Sequence, residues 1–148
     1  MSLWDWALEA YSRIGVADAC LALQDEHGQN TSYLLWAVWA EGPDAAALAE
    51  GRDLAMRWDE TALKPLREVR RALKPALAGV GDRAREGLRE DVKAAELRAE
   101  RVLMDSLEAI CGNQSGGQPA LAALQAASSA WASRPGDEAL ARLAGALS

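Results

Sequence analysis

Apolar residues recur at spacings of three and four along almost the whole chain, the period of helices that bury one face. The first stripe is Leu3, Trp4, Ala7, Leu8, Tyr11 and Ile14, with Trp6 on its flank. Ser2 stands where an N-cap belongs, with Asp5 as its capping-box partner, so helix 1 is expected from Ser2 to about Arg13. Val16, Cys20, Leu23 and His27 form a second line, and Gly28 follows as a left-handed cap, which gives helix 2 over residues 16–27. Asn30 should cap helix 3, which runs to Glu41 and stops at Gly42-Pro43. Leu34, Leu35, Trp36, Val38 and Trp39 surround its axis, and a helix apolar all round is a central one.

Asp44 can cap helix 4, whose stripe is Ala47, Leu48, Leu54, Ala55, Trp58 and Ala62. The phase continues past Pro65 through Leu66, Val69, Leu73 and Leu77. Pro65 lacks a donor and crowds the carbonyl of Thr61, so a kink or break is expected there, with Pro65 in the first turn of helix 5. Asp82 can cap a long helix 6 that ends near Cys111, with Leu88, Val92, Ala95, Ala99, Val102, Leu103 and Ile110 as its core face. Leu97 and Met104 read as a second line, nearly opposite, that needs another partner. Residues 112–118 read as a loop, followed by two Ala-rich helices over 119–133 and 137–147.

The expected architecture is all-α, a compact bundle of five to seven helices with helix 3 at its centre. Residues 1–111 form the helical core domain, and residues 112–148 a loosely attached helical tail packed on it. Composition supports this. Alanine (32) and leucine (21) dominate, whereas the chain has six Val, two Ile, two Thr and no Phe. Strands draw on the β-branched and aromatic residues that are scarce here. The six tryptophans must then supply much of the bulk of the core.

Charge narrows the function classes. Sixteen basic against twenty-two acidic residues give a net charge of −6, which disfavours nucleic acids and anionic membranes as partners. The longest apolar runs are too short or too polar to span a bilayer, and the N-terminus lacks a signal-peptide pattern. A cytoplasmic protein is expected. Cys20 and Cys111 make neither a disulfide framework nor a zinc pattern.

Two clusters carry candidate chemistry. The first is the helix 2–3 turn, with Gln24, Asp25, His27 and Asn30. His27 is the chain's one histidine and could act as an acid or base. The plainer reading is a packed side chain that favours the helix C-terminus, with Asn30 a cap. The second is the basic row Lys64, Arg67, Arg70, Arg71 and Lys74 on one face of helix 5. Arg67, Arg70 and Arg71 could clamp a phosphate or carboxylate. The plainer reading is a solvated face, or pairing with Glu86, Glu90 and Asp91 on an antiparallel helix 6. Glu96 and Glu100, four apart, lack the Glu-x-x-His companion of a di-metal bundle, so neither metal nor cofactor is expected.

The segment LWDWALEAYSRIGVADACLALQDEHGQN, continuing into LLWAVWA, resembles a family of conserved hypothetical proteins of bacteria, chiefly Proteobacteria, classed as a domain of unknown function. The likeness is strongest over residues 3–40, with an echo in PLREVRRALK at 65–74. The family pattern often has Val-Asn where this chain has Thr31-Ser32. The resemblance implies no activity and supplies no catalytic residue. Two readings follow. One is a non-catalytic interaction or accessory module, or a homo-oligomer, that uses the Leu97/Met104 face. The other is a small anionic-ligand-binding protein or enzyme, its site lying between the helix 2–3 turn and basic helix 5.

Overall fold

One helix is buried on every side, and the others are arranged around it. A computed structural model describes residues 1–112, 117–131 and 136–148. The elements are α1 (Leu3–Tyr11), α2 (Val16–His27), α3 (Thr31–Trp39), α4 (Ala45–Trp58), a π-helical turn (Asp59–Leu63), α5 (Lys64–Ala72), α6 (Asp82–Ile110), α7 (Ala120–Trp131) and α8 (Asp137–Leu147). Among the described residues there is no strand. With α4, the π turn and α5 counted as one rod, the helices among the described residues number seven, so the all-α bundle is what the periodicity predicts.

In α3, Tyr33, Leu34, Leu35, Trp36 and Ala37 have no exposed surface. The helix packs against α1, α2, α4, α6 and α7. Burial at this depth requires every polar tip to find a partner. The Tyr33 hydroxyl donates to the Leu48 carbonyl at 2.9 Å, and the Trp36 indole to the Cys111 carbonyl at 3.0 Å. Trp131 donates to the Gly28 carbonyl at 3.0 Å, and Trp58 to the Ala99 carbonyl at 2.8 Å. Each aromatic thus fills core volume and ties two elements together through a backbone acceptor.

The caps follow the sequence closely. The hydroxyl of Ser2 accepts from the Asp5 N–H, the side chain of Asn30 from Tyr33, and that of Asp44 from Ala47. Gly28 takes φ 62°, the left-handed cap of α2. Gly51 was not singled out by its pattern, yet α4 packs closely on Trp36 there. A Cβ there would lie 2.6 Å from the Trp36 ring.

Several expectations give way. Pro65 is not among them: it stands in the first turn of α5, as expected, and the disturbance ahead of it is a wider turn rather than a break. The turn before it widens to π geometry, with the Lys64 N–H bonded to the Asp59 carbonyl. The wider turn accommodates the proline ring without loss of the rod. Leu77 lies beyond α5 and is exposed, and Ile14 lies beyond α1 and is exposed. Gly81, not Asp82, caps α6; the Asp82 carboxylate instead accepts from Arg85 at 2.6 Å.

The Leu97/Met104 face does not exist as one surface. Met104 is buried in the core with Ala99, Leu103 and Leu107, whereas Leu97 is exposed, and so are Leu88 and Val102. The reason is that α6 outruns its support. Arg85, Arg89 and Glu96 meet α5, whereas Ala99, Leu103, Met104 and Leu107 lie in the core. In the C-terminal part, Leu124, Trp131, Leu140 and Leu143 join the same core. Parts of the expected 112–118 loop and of the 119–133 helix lie outside the described residues.

Two glycine substitutions should separate packing from propensity. Gly51→Ala should lower stability by ~1–3 kcal/mol through overpacking against Trp36. Gly87→Ala, with open space around the new methyl, should raise it by up to ~1 kcal/mol. Chemical denaturation of both variants reads the two signs.

Candidate functional site

The α2–α3 turn and the start of α5 face one another across a cavity of about 170 Å³. Gln24 and the run Gly28–Ser32 form one wall. The π turn and α5 form the opposite wall with Asp59, Leu63, Lys64 and Arg67, and Glu100 of α6 and Trp131 of α7 close it. Each wall has a local cause. The left-handed Gly28 turns the chain out of α2, and its carbonyl is held by the Trp131 indole. Asn30 caps α3 through Tyr33, which leaves the Thr31 and Ser32 N–H groups at the helix start, where no intrahelical acceptor reaches them. The ring of Trp131 in turn packs 5.4 Å from that of Tyr33, so the buried helix fixes the wall.

The charges divide into two kinds. At the rim, Lys64 is paired with Glu60 and lies 3.7 Å from Asp59. Deeper in, α5 and α6 run antiparallel and bring arginines opposite glutamates. Arg70 closes on Glu96 at 2.6 Å. One turn along, the matching pair is Arg67 and Glu100, and it stays open. Both side chains line the cavity, and neither makes a hydrogen bond or an ion pair within 4.0 Å among the described residues. Burial pushes the Glu100 carboxyl above the usual glutamate range; Arg67 opposes that shift and Glu96 adds to it. Behind the wall, the Tyr11 hydroxyl sits beside Thr31 and Cys20, and burial raises its pKa strongly. Burial also raises the Cys20 thiol, to about 11.

The two sequence clusters are therefore brought together in part. Gln24, Asn30 and Arg67 line the cavity. Asp25 is exposed and Arg71 is exposed; neither lines it. Arg70 is spent on Glu96 rather than on Glu86, Glu90 or Asp91, two of which pair locally with Arg85 and Lys93. His27 lines a separate crevice toward α8, with Glu26, Glu138 and Arg142. It continues the face of α2 that packs on α8, and so points away from α5. Sequence reasoning missed Glu100 as a site residue. Its signal was proximity to the Ala99/Leu103 stripe, which drew a carboxylate toward the core. Among the described residues, no three His, Cys, Asp or Glu side chains converge as a metal-ligand set.

The sequence profile of a family described as "Protein of unknown function (DUF2390)" matches residues 2–107. The chain belongs to the DUF2390 family. The DUF2390 match spans α1 to α5 and most of α6, and so contains every cavity residue except Trp131. Among curated proteins and among solved structures, none matches the chain. No helix of the described residues is long and apolar enough to cross a membrane.

Glu100 sets a pH signature. Its folded pKa lies above its ordinary value, so its protonation favours the folded state. That contribution is complete below the ordinary glutamate pKa and is lost as pH rises through the folded one. Glu100→Gln should therefore be more stable than the parent at pH 7, with the advantage shrinking near pH 4. Urea denaturation at the two pH values checks it; a variant less stable at pH 7 contradicts the sign.

Proposed function

We propose that this chain is a cytoplasmic small-ligand-binding module whose site is the cavity between the α2–α3 turn and α5. The observation that carries this reading is Arg67. It lines a cavity and closes no ion pair among the described residues, while Arg70, one turn along the same helix, is paired with Glu96. A charged group withdrawn from water without a partner costs stability. An anionic group in the cavity would offset that cost, and a guanidinium offers it a planar fork of donors. The N–H groups that open α3 add donors on the facing wall. The volume is below the ~300–1,000 Å³ of drug-sized sites, which suits a small metabolite rather than a nucleotide.

A second reading, a protein-interaction surface, is favoured by exposed Leu97 and Val102 beside Trp4, over which Arg101 sits at 5.7 Å. Sedimentation of the parent chain and of Leu97→Asp tests it: a self-association that the substitution abolishes supports this surface.

For the ligand site, calorimetric titration with small carboxylates, phosphates and amino acids is decisive. Arg67→Met should weaken binding about tenfold or more, the scale of one charge-assisted hydrogen bond. Arg71→Met, exposed on the same helix, should leave binding unchanged. Absence of any Arg67-dependent binding across the panel overturns the reading.

A further inference from the structure

We propose that the ligand of this cavity is a small zwitterion, an amino acid or a compound of like charge pattern, with its anionic end at Arg67 and its ammonium end at Glu100. The proposal rests on the reading of the cavity as a ligand site and adds the chemistry of the occupant.

Four charged side chains line the cavity, Lys64 and Arg67 against Asp59 and Glu100, so its lining is formally neutral. Lys64 is shared at the rim between Glu60 and Asp59, the latter 3.7 Å away. Arg67 and Glu100 are left, on different helices, both lining the cavity and interacting electrostatically without a closed ion pair among the described residues. In the register set by Arg70 and Glu96 they would be the next ion pair, and the cavity they line is what an occupant must fill. A purely anionic ligand satisfies Arg67 and sets a second negative charge near Glu100 and Asp59. A purely cationic ligand satisfies Glu100 and meets Arg67 and Lys64. One molecule that carries both charges completes the interrupted pair from each side and brings no net charge into a partly desolvated site. Gln24, Asn30 and Thr31 supply neutral donors and acceptors around it.

The test uses matched probes on the full chain. Glycine, β-alanine, γ-aminobutyrate and δ-aminovalerate are each titrated beside the carboxylate that lacks the amino group and the amine that lacks the carboxylate. Calorimetry gives affinity, and the Trp131 indole N–H resonance reports occupancy of the cavity. At least one zwitterion should bind roughly tenfold or more tightly than both of its halves. Glu100→Gln should erase that preference while Arg67-dependent carboxylate binding survives. If the carboxylates bind as tightly as their amino counterparts, the zwitterion assignment falls and the ligand site stands. If no probe binds in an Arg67-dependent way, both fall.

Discussion

The burial of α3 is the constraint on which the rest of the structure depends. Nine consecutive helical residues without a charged side chain can be enclosed only if neighbours cover every direction and if each polar tip is satisfied. The chain meets this with aromatic residues that do both tasks. Tyr33 and Trp36 reach out of α3 to carbonyls of α4 and the end of α6, and Trp131 reaches to the turn that precedes α3. Gly51 is the counterpart of this scheme, a position in α4 emptied of side chain so that the Trp36 ring can approach. With no Phe in the chain, every large core aromatic carries a polar tip, so filling the core and fixing the relative positions of the helices are the same event.

The cavity follows from that arrangement. A fully enclosed helix must still begin somewhere, and its first N–H groups cannot be buried against apolar side chains. Here α3 begins in a polar crevice, bounded by its Asn30 cap on one side and by α5 on the other. The π turn ahead of Pro65 leads the rod into α5, so that Arg67 faces this crevice while Arg70 faces Glu96. Arg67 and Glu100 thus line the same crevice without closing an ion pair among the described residues. Such unrelieved polar pairs are where function commonly resides, because a partner that completes them gains what the fold has left unsatisfied.

How much of this was legible depended on whether local rules decided the outcome. Ser2, Asn30 and Asp44 cap their helices because a short polar side chain there competes with nothing else. The central place of α3 was legible because an all-round apolar helix has only one home. Helix α6 was not, since it carries two apolar stripes and changes partners halfway; Met104 went inward and Leu97 outward for reasons of tertiary support. The candidate site was half legible. Gln24, Asn30 and Arg67 line one cavity, as expected of a turn and a basic row that meet. His27 lines a different crevice because α2 packs on α8, and Glu100 was weighed only as a metal ligand with Glu96, not as a wall of this cavity.

The claim that α3 anchors the molecule is tested most directly by native-state hydrogen exchange. The amides of Leu34 to Ala40 and the Trp36 indole N–H should exchange only through global unfolding, with the free energy found by denaturation, while the first half of α6 should open at lower cost. Exchange of the α3 amides faster than those of residues 82–95 would contradict the account.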